Sequence, residues 1–269
     1  MDLGLKGRVA LVTGSSGGIG LAVAMGLALE GADLIIHGRN PQKVDLIVRN
    51  LDQFGSGRTA YRFVADATQP KQIEHWFENM MPKIVRLDIL VNNLGGVTGI
   101  KKFEEITDEE WYDAFTFNFM SAVRFTRLAL PYLKKSNQAR IINLGTESVI
   151  QPGSNSPQYS APKTALVNLS TSLAASLAEH CILVNTVCPY TIRGGSWERK
   201  VQDISEKENI PSRNAENKLE ELVKAKVPLK RVGTMTEVAN VVVFLASKQA
   251  SFITGETIFV DGGTKRSIL

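Results

Sequence analysis

Seven short apolar runs, rich in β-branched residues, recur along the chain: RVALVTG at 8–14, DLIIHG at 33–38, TAYRFVA at 59–65, DILVNN at 88–93, ARIINLG at 139–145, ILVNTV at 182–187 and ETIFVDG at 256–262. Gly, Asn or Asp bounds nearly all of them, and longer stretches with helical spacing lie between, so the pattern predicts strands that alternate with helices. Strands that stay apolar throughout are covered on both faces, because an exposed face would show polar alternation. The predicted fold class is therefore α/β: a doubly wound, seven-stranded parallel sheet with helices on both faces. Right-handed crossovers gather the loops at the carboxyl ends of the strands, and ligands bind along that edge in such folds. No Pro/Gly/Ser-rich linker or internal repeat divides the chain, which reads as a single domain over 1–269. Residues 194–227 depart from the regular alternation, being rich in charge with Pro211 between two helical stretches. They read as an insertion that covers the active edge.

Composition narrows the partners. With 43% hydrophobic and 22% charged residues the chain is an ordinary globular protein. Its 31 Lys and Arg against 27 Asp and Glu are dispersed, and an anionic cofactor accounts for the small excess, so no nucleic-acid partner is expected. Cys181 and Cys188 flank the run ILVNTV and read as buried thiols in a reducing, cytoplasmic setting. With His37, His75 and His180 they lack the spacing of a zinc site, and no metal is predicted. No run reaches the roughly 18 apolar residues of a membrane span, and no membrane partner is expected.

The first strand runs into Thr13-Gly14-Ser15-Ser16-Gly17-Gly18-Ile19-Gly20 and then into a helical pattern. Glycines there permit a tight turn and let the backbone approach a pyrophosphate, whose charge is favoured at a helix N-terminus. Gly14, Ser15, Ser16, Gly18, Ile19 and Gly20 are the candidate phosphate-side residues. Where a NAD-binding fold places an acid on the ribose 2′-hydroxyl, this chain has Gly38-Arg39-Asn40. A guanidinium pairs with a 2′-phosphate that a carboxylate would repel, so NADP is preferred over NAD. Against this stands the plainer possibility that Arg39 is only a solvated residue before a helix. Asp66 and Ala67, in VADAT after the third strand, are candidates for the adenine, with a turn-forming Asp as the alternative.

Tyr159 and Lys163 are four apart in PQYSAPKTALVNLSTSLA and share a helix face. An ammonium about 4 Å from a phenol contributes on the order of 4 kcal/mol at an effective dielectric near 20. That would carry the phenol from near 10 toward neutrality, before burial opposes it. This spacing alone is common by chance.

Together these motifs resemble the short-chain dehydrogenase/reductase family over essentially the whole chain, with particular similarity to bacterial 3-oxoacyl-(acyl-carrier-protein) reductases. TGSSGGIG resembles the family's TGxxxGxG turn, NNLG at 92–95 its NNAG, YSAPK its YxxxK, and RVGTMTEVANVVVFLASKQASFITGETIFVDGG its C-terminal segment. The resemblance implies a Rossmann fold and a catalytic tetrad of Asn118, Thr146, Tyr159 and Lys163. In it Tyr159 exchanges the proton at the substrate oxygen, Lys163 holds the nicotinamide ribose, Thr146 polarises the carbonyl where the family has serine, and Asn118 supports the lysine. It adds Asn93, Gly95, Pro189 and Ile192 to the cofactor contacts, alongside Tyr159 and Lys163. It implies a homotetramer packed through the helices of Asn118 and Tyr159, and pro-S hydride transfer to a small carbonyl substrate. A 3-oxoacyl-type ketone leads; a sugar, polyol or polyketide ketone, or a non-catalytic NADP-binding sensor, is the alternative.

Four departures stand out. Leu94 replaces the usual alanine, and Gly17 stands where many NADP-using relatives carry a basic residue. Pro162 strains a helix beyond its first turn and leaves the position of Lys163 open. The family's PGxIxT appears as Pro189-Tyr190-Thr191-Ile192-Arg193-Gly194, so Tyr190 and Arg193 are candidates to reshape the pocket.

Overall fold

The computed structural model describes residues 1–53, 59–97 and 99–267. The seven predicted runs form β1 (Val9–Val12), β2 (Asp33–Gly38), β3 (Ala60–Val64), β4 (Ile89–Asn92), β5 (Arg140–Leu144), β6 (Leu183–Pro189) and β9 (Thr257–Val260). All pair in parallel within one sheet of order β3-β2-β1-β4-β5-β6-β9. Strand order reverses between β1 and β4, and that reversal opens the crevice where a doubly wound sheet takes a ligand.

The helices between the strands are α1 (Gly18–Leu29), α2 (Pro41–Gln53), α3 (Pro70–Ile84), α4 (Asp108–Phe115), α5 (Ser121–Leu133), α6 (Pro157–Leu177) and α9 (Met235–Ala246). The strand pleat divides the core between them. Ala10, Val12, Leu34, Ile36, Ile89, Val91 and Ile142 point to the face covered by α1 and α9, while Leu11, Ile35, Leu90, Ile141 and Val184 point to the face of α3 and α5. Period-two alternation of two apolar sets is what a strand buried on both faces requires. Each such side chain contributes roughly 1.5–3 kcal/mol on full burial. A polar ladder crosses the second face: Asn92 Nδ2 donates to Asn143 Oδ1 at 2.8 Å and to Thr126 Oγ1 at 3.0 Å, and Asn143 Nδ2 donates to Ser170 Oγ at 2.7 Å. It locks β4 and β5 to α5 and α6, the four elements that carry or support the catalytic candidates.

Residues 194–227 contain α7 (Ser196–Glu208) and α8 (Ser212–Lys226), framed by the two-residue strands β7 (Ile192–Arg193) and β8 (Gly233–Thr234). Trp197, Leu219, Val223, Val227 and Val232 form a separate small core there. Arg193 bridges to Glu216 at 2.6 Å and Glu220 at 2.5 Å on α8, with its guanidinium 5.2 Å from the Trp197 ring centroid. Arg193 thus ties β7 to both helices. Among the described residues no helix is long and apolar enough to cross a membrane.

Candidate active site

At the β1–α1 turn the strand stops flush against the helix. A Cβ added to Gly20 would lie 2.6 Å from the Gly14 carbonyl oxygen, so only glycine allows this packing. Ser15 is fully buried, donating to Val12 O at 2.7 Å and accepting from His37 N at 3.0 Å. Its side chain braces the turn, whereas Ser16 is partly exposed and lies against Gly38. Asn93 closes the other side, its N–H donating to Thr13 Oγ1 and its Nδ2 to Thr13 O, both at 2.9 Å.

Beyond β2, the Arg39 side chain is 74% exposed and stands 4.0 Å from Asp66 Oδ2. Asn40 accepts the Lys43 N–H at 2.9 Å and caps α2. Asp66 Oδ1 accepts from Thr68 N and Oγ1 at 2.9 and 2.8 Å, the geometry of a turn-forming Asp. Burial alone would raise its pKa; the Thr68 bonds and the Arg39 charge outweigh that and hold it below the usual range. Ala67 is buried, and its carbonyl accepts from Arg124 at 3.4 Å.

The catalytic candidates converge at the carboxyl ends of β4 and β5. A π-helical stretch, Thr116–Met120, joins α4 to α5 and carries Asn118. Such bulges widen a helix and occur at functional sites. Asn118 is buried; its Oδ1 accepts from Gly96 N at 2.8 Å and its Nδ2 donates to Ala114 O at 3.0 Å. Lys163 is 2% exposed, and its Nζ donates to Leu144 O at 2.7 Å and Leu94 O at 3.0 Å. A Cβ on Gly95 would come within 2.5 Å of that Nζ and 3.0 Å of Asn118 Oδ1, so glycine is what lets the lysine reach the strand ends. Burial lowers the Lys163 pKa to about 8.

Thr146 follows β5 and opens a short 3-10 turn, Glu147–Val149. Its hydroxyl donates to Glu147 Oε2 at 2.8 Å and is hydrogen-bonded to the Tyr159 phenol. Burial pushes the Tyr159 pKa up to about 12, against the Thr146 bond and reinforced by the negative charge of Glu147. The phenol is therefore protonated at neutral pH.

These elements recur in known proteins. A family model described as enoyl-(acyl carrier protein) reductase matches residues 14–265. The chain belongs to the short-chain dehydrogenase/reductase family. The uncharacterized oxidoreductase YvrD of Bacillus subtilis (strain 168) is 36% identical, with all of both chains covered. The 3-oxoacyl-(acyl-carrier-protein) reductase FabG of Escherichia coli (strain K12) is 33% identical over 97% of this chain and 98% of its own. Among solved structures, L-sorbose reductase from Gluconobacter frateurii, complexed with NADPH and L-sorbose, superposes with a TM-score of 0.93 at 30% identity over all of both chains. This short-chain dehydrogenase/reductase is an oxidoreductase that acts on CH–OH and carbonyl groups.

Within this short-chain dehydrogenase/reductase three details differ from sequence-based expectation. The Tyr159 pKa moves up rather than down, because desolvation, reinforced by the negative charge of Glu147, outweighs the Thr146 hydrogen bond, while the Lys163 ammonium is turned to the carbonyls of Leu144 and Leu94. Cys188 is buried but Cys181 is exposed, since it ends the helix with φ of 56° before β6 begins. Pro162 lies inside a continuous α6 and does not displace Lys163. Two contributors escaped sequence reading. His37 accepts the Gly14 N–H at 3.0 Å, and burial lowers its pKa to about 4, which keeps it neutral; only the tertiary fold shows this. Glu147, an acid next to a candidate catalytic hydroxyl, was visible as a signal.

Proposed function

We propose that this enzyme reversibly reduces the carbonyl of a small organic substrate with NADPH. The single observation that carries the reading is the convergence of Tyr159, Lys163, Thr146 and Asn118 at one edge of the sheet, opposite the glycine turn. The cleft fits the cofactor: Gly14, Ser16, Gly18, Ile19 and Gly20, with the Ser15 backbone, face the pyrophosphate, and the backbone at Gly17 and Gly18 borders open space in which nothing stands within 4 Å of where a Cβ would lie. The exposed Arg39, with Ser16 and Asn40 beside it, takes the 2′-phosphate, while Asp66 and Ala67 border the adenine. Asn93, Gly95, Pro189 and Ile192 border the nicotinamide end, and Lys163 holds its ribose. When bound, NADPH supplies hydride to the carbonyl carbon. Tyr159 gives its proton to the carbonyl oxygen, Thr146 turns its one hydroxyl proton from Glu147 to that oxygen when substrate is bound, and the Lys163 ammonium stabilises the tyrosinate that results. Asn118 keeps the Gly96 backbone and the lysine pocket in place.

Both a 3-oxoacyl-type ketone and a sugar or polyol ketone fit this chemistry. Free Cys181 and Cys188 suit a reducing, cytoplasmic setting. On α4 the exposed Tyr112 and Phe115 support a homotetramer packed through the helices around Asn118 and Tyr159. The test is fluorescence titration with NADPH and NADH, followed by turnover on a ketone panel for wild type and Tyr159→Phe. Tighter NADPH binding, with turnover abolished in the variant, is the expected result. NADPH binding without any turnover would replace the enzyme with a sensor.

A further inference from the structure

The carboxylate of Glu147 sits beside the reacting groups and takes no part in the hydride chemistry. Its Oε2 accepts from Thr146 Oγ1 at 2.8 Å and its Oε1 from Ser148 Oγ at 3.2 Å. Thr146 in turn contacts the Tyr159 phenol, so the acid is one hydroxyl removed from the proton donor. Its charge also acts on Tyr190 and on Lys200 of α7. Lys200 is half-buried, and no ion pair engages it among the described residues. Arg199, its neighbour on α7, approaches Gly96 beside Asn118.

A carboxylate only accepts hydrogen bonds, and each oxygen has more than one acceptor site. One hydroxyl on each oxygen leaves capacity open toward the pocket. A substrate that carries a hydroxyl next to its carbonyl fills it with a charge-assisted bond. An acyl chain carries no such donor, and it would desolvate the carboxylate without compensation. The lysine and arginine of α7 supply donors for further substrate oxygens.

We infer that Glu147 is the specificity-determining residue and that the substrate is a small hydroxylated ketone, with a hydroxyl on the carbon beside the carbonyl, rather than an alkyl or acyl-chain ketone. This rests on the carbonyl-reductase reading above and selects within it. Glu147 recognises the neighbouring hydroxyl while Tyr159 and Thr146 take the carbonyl oxygen, and Lys200 faces the remaining oxygens.

The experiment compares kcat/KM, with NADPH, for 1-hydroxybutan-2-one and butan-2-one, then for a ketohexose and a short 3-oxoacyl thioester, in wild type and Glu147→Gln. Glutamine keeps the size and one acceptor oxygen for Thr146 but removes the charge. NADPH titration of the variant checks that it is folded. Wild type should favour 1-hydroxybutan-2-one over butan-2-one by about 10- to 100-fold, the range of a hydrogen bond to a charged group, and Glu147→Gln should remove most of that preference. A wild type that prefers the thioester or butan-2-one, or a Glu147→Gln variant with the preference intact, overturns this inference and leaves the reductase reading standing. No turnover of any carbonyl by wild type would overturn the reductase reading itself.

Discussion

At the scale of single residues, the site is held by close approaches that leave no spare volume. Gly95 is the clearest case, since an added methyl would meet both Lys163 Nζ and Asn118 Oδ1. Gly95→Ala should cost at least about tenfold in kcat/KM, equivalent to about 1.4 kcal/mol, while far-ultraviolet circular dichroism stays native; full activity would mean that the lysine has room to move. His37 acts at a distance from the chemistry. Its folded pKa, about 4, lies below the ordinary 6.5, so the unfolded chain binds the proton more readily. The stability it contributes is full above about pH 6.5 and is lost as pH falls toward about 4. Urea denaturation across that range should show stability falling with acid in wild type, with a shallower fall in His37→Gln.

At the scale of elements, the sheet and its covering helices form a rigid frame, and α7 with α8 forms a separately cored attachment beside the site. Trp197 is 3% exposed and its Nε1 donates to Glu216 at 3.2 Å, so it pins α7 to α8. Trp197→Ala should remove about 3–5 kcal/mol of local packing. Because that small core is distinct from the two on the sheet, the loss should appear as faster proteolysis within 196–226 and a raised KM, with NADPH affinity retained. Equal loss of NADPH binding would show that the attachment and the frame unfold together. The same reasoning explains why Pro162 is tolerated: α6 is fastened on both sides of it, by the Tyr159 contact and by the buried Lys163 and Leu166, so one missing helical hydrogen bond does not bend it.

At the scale of the whole molecule, cofactor binding and folding are linked. NADPH at about 100 times its dissociation constant should stabilise the fold by about 2.7 kcal/mol, visible as a rise of roughly 5–10 °C in Tm for a chain of this size. Arg39→Ala should weaken NADPH binding by about 10- to 100-fold and leave NADH binding nearly unchanged, because only the 2′-phosphate meets the guanidinium. Loss of affinity for both would show that Arg39 serves the backbone of the turn. Sedimentation of the purified protein should give a tetramer, and charged substitutions at Tyr112 and Phe115 on α4 should dissociate it.

By itself the sequence determined the architecture and which candidate residues gather at one edge of it. Seven apolar runs with Gly, Asn or Asp at their ends left a strand-helix alternation with both sheet faces covered as the arrangement that buries them, and TGSSGGIG, NNLG and YSAPK put the candidate residues at one edge. These are local signals, written in periodicity and turn residues. What the tertiary structure alone decided are quantities that depend on neighbours far away in the chain. The direction of the Tyr159 pKa follows from how completely the phenol is desolvated, and no spacing encodes that. The brace between Ser15, Gly14 and His37 joins residues 22 and 23 apart. Arg193, singled out by the motif, is held by two acids on α8, 23 and 27 residues further on. Glu147 lies between the two cases. Its place next to Thr146 was legible, but its approach to Tyr159 and Lys200 exists only because β5, α6 and α7 meet at one end of the sheet.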